Sequence, residues 1–269
     1  LETQTYIQRN GNTYEYLTNE EQVIEEEIKN VDIDSSEVSK KLFDTLSQGV
    51  IKVNKIRYAK NGQDFPFGSK LDDQVHGPQR ELAVHFITPE YPYGPEQIRM
   101  HSAGKDELRV ILAPDERVLS DLRLLLKTDK YTKRKQTTSL SAIEEQILRA
   151  KAAQNREREK ELVQRLQNAV GTSTLVINAA DLPVSSTDAL GRITEGFQEL
   201  VGRTYTQLKL LGGATYTEQQ VAGAANPDGG LFDAEALLKL DQPAQEVLAT
   251  ILRKDAQGEQ VTMKTLVDT

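Results

Sequence analysis

The chain has 269 residues, enough for one large or two modest domains, and 38% of them are apolar, so a sizeable core can form and disorder throughout is excluded. A formal charge of -8 argues against coating nucleic acid or an anionic membrane with the whole surface, while leaving room for a local basic patch. With 28% charged residues, 6% aromatics and no cysteine, disulfides, thiol nucleophiles and thiolate zinc sites are out, and the balance leans toward an interaction module rather than a compact enzyme.

The start, Leu1-Glu-Thr-Gln-Thr5, has neither an initiator Met nor a basic-then-apolar signal, and no apolar run approaches the roughly 20 residues that span a bilayer. The expectation is a soluble cytoplasmic fragment of a longer protein, with no membrane partner. Thr5-Tyr-Ile-Gln-Arg9 and Thr13-Tyr-Glu-Tyr-Leu17 flank Asn10-Gly-Asn12 as a hairpin, which suits the wing of a winged-helix domain and an ordinary sheet-edge hairpin about equally. Thr18 with Glu21 then forms a capping box that opens an acidic helix.

A second helix is expected from Ser35 to about Gln48, with Val38, Leu42, Phe43 and Leu46 on one side and Gly49 as its stop. Val50–Ala59, Glu81–Thr88, Ile98–Met100 and Leu108–Leu112 read as strands, the middle two separated by a stiff loop carrying Pro89, Pro92 and Pro95. Residues 50–113 thus suggest a mostly antiparallel sheet covered by helices on one side. His76, His85 and His101 lack the spacing of a metal site, so surface or hydrogen-bonded imidazoles are the stronger reading. No serine lies in a Gly-x-Ser-x-Gly context.

Val110-Ile-Leu-Ala-Pro-Asp-Glu116 resembles the acidic strand end of a P-loop ATPase. No Gly-x-x-x-x-Gly-Lys-Ser/Thr accompanies it, and Asp115 is better placed to cap the helix that follows. That helix ends in Lys127, Lys130, Lys133, Arg134 and Lys135 around Tyr131. These cations complement the helix's negative end. Lys130, Tyr131, Lys133, Arg134 and Lys135 also form the candidate nucleic-acid contact, with lysines and arginine on phosphates and Tyr131 stacking on a base.

Leu140–Val170 has apolar residues toward both ends, and a middle, 149–161, with no large apolar side chain. At 1.5 Å per residue it spans roughly 45 Å, which suggests a connector with anchored ends and a wet middle. Beyond Gly171, Thr174–Asn178 reads as a strand and Asp188–Leu211 as a helix with Ile193, Phe197, Leu200 and Val201 inward. Ala222–Gly230 reads as a glycine-rich loop, and Gln245–Leu252 with a helix from Thr262 as the start of a helix-turn-helix. The fold class is therefore α+β: a mostly antiparallel sheet with flanking helices, a long bridging helix, then a smaller α/β or helical body ending in a partial helix-turn-helix. The expected division is 1–135, 136–171 and 172–269.

Thr13-Tyr-Glu-Tyr-Leu-Thr-Asn-Glu-Glu-Gln22, Arg109-Val-Ile-Leu-Ala-Pro-Asp-Glu-Arg-Val-Leu119 and Leu124-Leu-Leu-Lys-Thr-Asp-Lys-Tyr131 resemble the middle of the large P-loop ATPase family of bacteriophage exclusion (BREX) systems, the BrxC and PglY-like proteins. The resemblance runs over most of the chain. It implies a much longer phage-resistance protein that uses ATP and magnesium in an AAA-type module N-terminal to Leu1, alongside a DNA methyltransferase and a phosphatase-like protein. The family's phosphate loop has no counterpart in these residues, so no catalytic or metal position is carried over, and neither cofactor is expected within them. The expectation is a noncatalytic scaffold or interaction region holding those components or further copies of itself. The alternative is a nucleic-acid-binding module that uses the helix-turn-helix and basic patch on DNA. A third class, an independent hydrolase, would rest on His85, Asp115 and Glu116 alone.

Overall fold

A computed structural model describes residues 7–10, 13–136, 140–208 and 242–258. The chain divides into two compact units, one built from residues up to 56 together with 66–200, the other from 57–65 together with residues from 201 onward.

In the first unit the expected hairpin is present, β1 (Ile7–Asn10) pairing antiparallel with β2 (Thr13–Tyr16). The capping box forms as read: Thr18 Oγ1 accepts from the Glu21 amide and Glu21 reaches back to the Thr18 amide, opening α1 (Asn19–Lys29). Asp34 caps α2 (Ser35–Asp44), which runs on into a π-helical segment, Thr45–Ile51. Gly49 therefore does not stop the helix. It sits where an added Cβ would lie 3.2 Å from Val163 Cγ2, so its small size serves close packing, and the turn ends at Lys52 in the left-handed region with φ 63°. Because Val50 and Ile51 belong to that segment, the strand expected over Val50–Ala59 shrinks to β3 (Lys55–Arg57), and the next short strand is β4 (Asp64–Pro66).

The main sheet has six strands in the order β10-β9-β8-β7-β5-β6, namely β5 (Gly68–Leu71), β6 (Gln74–His76), β7 (Ala83–Ile87), β8 (Glu107–Ile111), β9 (Thr174–Ile177) and β10 (Ala180–Leu182). Antiparallel pairings hold both margins, whereas β5, β7 and β8 are mutually parallel at the centre. The α+β class with antiparallel pairs in the majority holds; the parallel centre is new. It arises because the segment expected to be a strand over Ile98–Met100 is instead inside α3 (Pro95–His101), the crossover between β7 and β8. Pro95 at the first helical position pre-sets φ there, and the Gln97 side chain accepts from the Gly94 amide.

Strand β9, expected to open a separate body after residue 172, pairs with β8 and extends the same sheet. Helices cover both faces rather than one. On the first face α6 (Ala189–Thr204) approaches so closely that a Cβ on Gly196 would stand 2.9 Å from Leu108 and Leu175 side-chain carbons. Alternate residues of β8 point the other way, where Arg109 reaches the carbonyls of α3.

Asp115 caps α4 (Glu116–Lys135), as expected. Ser141 and Glu144 form a second capping box at α5 (Ala142–Gly171), which packs along α4. The middle of α5 is wet on one face only. Lys151 is buried with its Nζ 2.5 Å from Glu25 Oε2 of α1, and Asn155 donates to the Leu125 carbonyl at 3.0 Å. Polar side chains with buried partners replace the missing apolar contacts there, which a count of apolar residues cannot register. Next to them Ile24, Ile28 and Val31 pack with Tyr131, Ile147 and Leu148.

In the second unit Tyr58 meets Phe65 edge-on at 6.0 Å, and Phe65 meets Tyr205 at 5.5 Å. Its described C-terminal element is α7 (Gln242–Ala256). The glycine-rich stretch 222–230 and the helix expected from Thr262 lie outside the described residues, as does the end of the helix expected to run to Leu211.

Candidate functional site

The parallel centre of the sheet places Lys70, His85 and Arg109 side by side in one register row, each on the face toward α3. Glu107, two residues before Arg109 on β8, shares that face and ties the row together. Its Oε2 accepts from Lys70 Nζ at 2.8 Å and its Oε1 from Arg109 Nε at 2.7 Å, with His85 Nδ1 at 3.5 Å. Arg109 uses its remaining fork on the carbonyls of Ile98 and His101, at 2.6 and 2.8 Å, where the end of α3 leaves acceptors without intrahelical partners. His85 Nε2 donates to the Asp72 carbonyl.

Glu107 and Arg109 are each 2% exposed, so their charges persist only because they are paired. Burial works to raise the Glu107 pKa, but hydrogen bonds from His85, Lys70 and Arg109 outweigh it and hold the carboxyl far below the usual range. The hydrogen bonds therefore favour the ionised form of this carboxylate. Asp72 moves the other way, pushed up by burial while its oxygens accept from the Thr88 amide and hydroxyl at 2.8 and 3.0 Å.

Above this charged floor opens a cleft of about 370 Å³. One rim is an aromatic run: Tyr91 donates its hydroxyl to Asp73 at 2.8 Å, its ring meets Tyr93 at 5.4 Å, and Tyr93 meets the His101 ring at 5.0 Å. Burial, reinforced by the Asp73 bond, pushes the Tyr91 phenol up to about 12. Lys105 stands exposed at the other margin.

The residues singled out in the sequence lie elsewhere. Tyr131 is buried in the α1–α4–α5 core, where its hydroxyl donates to Glu27 at 2.6 Å; burial and that bond push its pKa up. Lys135 Nζ is 3.0 Å from the same carboxylate, and Lys130 bridges the Asp32 carbonyl and Glu37 at 3.0 Å each. Lys133 pairs with Asp129 at 2.9 Å, and Arg134 is exposed with contacts of its own. In this arrangement Tyr131 has no open face for a base, and most of the patch closes on carboxylates of α1 and α2. The three histidines are also apart in role: His85 is in the row, His101 is on the rim, and His76 stacks on Phe43 at 4.0 Å. Among the described residues, no group of three or more acidic or histidine side chains could hold a metal ion. Asp115 pairs with Arg165 at 3.0 Å and lines a different cavity from His85. Sequence reasoning missed Lys70 and the Glu107–Arg109 pair. The available signal was Glu107-Leu-Arg109-Val-Ile111, in which charges at alternate positions of an apolar strand mark one polar face.

Sheet and site together define an α+β domain: a mixed six-stranded sheet, helices on both faces, and an internally compensated charge cluster. Residues 31–200 match the family model described as "BREX ATP-binding protein BrxC 4th domain with six-stranded beta sheet". The chain belongs to this family of BREX phage-defence proteins, and all six strands, from Gly68 to Leu182, fall within the matched range. No solved structure matches the chain.

Proposed function

We propose that this domain is a noncatalytic scaffold of a BREX ATP-binding protein, holding other components of the defence system, such as its methyltransferase or phosphatase-like protein, or further copies of the same chain. The observation that carries this reading is the Glu107 cluster. Its charged groups point at one another and at the carbonyls of α3, so they fasten a helix to a sheet and leave no buried acid, base or nucleophile unengaged there. ATP and magnesium belong, in this reading, to a part of the longer protein outside these residues. The test is calorimetry of the 269-residue chain with magnesium and ATP. No binding heat is expected, and a saturable isotherm would overturn the reading.

A nucleic-acid role keeps one observation in its favour, because Lys133 and Arg134 remain exposed at the end of α4. Its discriminator is the salt dependence of any binding to duplex DNA.

A further inference from the structure

The ends of β7 and β8 border a second space, separate from the Glu107 cluster. Pro89 follows β7 and Pro114 follows β8; neither has an amide hydrogen to extend the ladder, so the sheet ends there and a cavity of about 260 Å³ begins. Its walls come from three helices and a strand end: Leu42 of α2, Val118 and Leu119 of α4, Leu166 and Ala169 of α5, and Leu112 after β8. Ala113 and Ala169 contribute only methyl groups, which leaves room that larger side chains would take. Thr88 gives both its amide and its hydroxyl hydrogen to Asp72, and the Ala113 amide donates to the Ala169 carbonyl at 3.3 Å. An enclosed water needs about two to four polar partners, so walls of this kind favour an apolar occupant over water.

Charge stands at the mouth. There Arg123 lies 3.8 Å from Glu90, both more than half exposed, Asp115 pairs with Arg165 at 3.0 Å, and Glu116 and Ser120 are exposed beside them. None of the large apolar side chains exposed among the described residues lines the cavity. A folded partner inserting an anchor would need a surrounding contact of about 800 Å² with an apolar core, whereas here the apolar surface stops at charged residues. That contrast favours a free small molecule, whose sites are concave, mostly apolar and walled by several elements. We infer that this cavity is a binding site for a small uncharged ring compound. Size sets the class: an apolar cavity of about 150 Å³ already holds benzene, so this one has room for about one or two fused rings. A charged ring would shed its hydration against leucine, valine and alanine walls that hold no counter-ion.

The experiment is a methyl NMR titration of the 269-residue chain with three probes that share one ring and differ in charge: toluene, benzoate and benzylammonium. Toluene is expected to give saturable shifts at the methyl groups of Leu112, Val118 and Leu166, with none at the exposed Met100. Benzoate and benzylammonium are expected to bind at least about tenfold more weakly. Ala169→Leu fills the space and should abolish the toluene shifts without lowering the Tm. The three-probe comparison uses the unaltered chain, so it decides the matter even where that variant fails to fold. Absence of saturable shifts, shifts spread over methyl groups outside the cavity, equal or tighter binding of either charged probe, or undiminished toluene binding by a folded Ala169→Leu chain would each overturn the site. It is independent of the scaffold reading: ATP binding to the chain would refute the scaffold and leave these titrations unchanged.

Discussion

Glu107 concentrates the site's energetics in one side chain. Its pKa in the folded chain lies below the ordinary 4.5, so its contribution to stability is complete above that value and is lost as pH falls below it toward the depressed folded value. Glu107→Gln is expected to flatten the acid limb of stability in urea melts run across pH. It should also cost about 3–5 kcal/mol at neutral pH, since it leaves Arg109 buried without its anion; an unchanged acid limb would refute this. Ala179 offers the opposite change. With Asn178 it forms the β9–β10 turn, at φ 65° and 47°, a conformation that suits glycine better than alanine. Ala179→Gly should raise stability by about 1 kcal/mol, read as a higher denaturant midpoint. The caps at Thr18 and Asp115 were legible because donor and acceptor lie within three residues of each other. The cluster was not, since Glu107 meets Lys70 across 37 residues and His85 across 22. Only the parallel register aligns them.

Elements depend on the same separation between local signals and distant partners. The strand periodicity of β7 and β8 and the boundaries of α4 and α5 could be read locally, whereas α3 resembled a strand because it is seven residues long and its proline start is the main helical clue. Gly49 read as a helix stop, yet it and Gly196 both mark contacts with another element. Gly196→Val should lower stability by about 1–3 kcal/mol, because leucines on both β8 and β9 would have to move. The Glu25–Lys151 pair between α1 and α5 tests how polar residues replace apolar packing. Glu25→Leu alone should cost about 3–5 kcal/mol, and adding Lys151→Met should recover most of that loss, since the stranded charge is then gone. Thermal or urea unfolding of the single and double variants distinguishes the outcomes; a double variant no better than the single would refute the account.

For the whole molecule, family membership and the α+β class emerged from sequence blocks and element pattern, but the extent of the sheet did not, because β9 joins it across two intervening helices. Scaffold and nucleic-acid readings diverge in solution. Duplex DNA affinity is expected to be weak and unaffected by Lys133→Glu with Arg134→Glu; a loss of more than about tenfold between ~50 mM and ~200 mM salt that this double variant abolishes would favour DNA. The β8–β9 pairing also has a kinetic consequence. Ile111 meets Thr174, so all of α4 and α5 lies within the loop that this pairing closes, whereas β5, β7 and β8 join through short connections. The sheet should therefore assemble in two stages, with β9 and β10 added once the helical pair has folded back. Pulse-labelled hydrogen exchange during refolding would show amides of β7 and β8 protected before those of β10, and simultaneous protection would rule the sequence of events out.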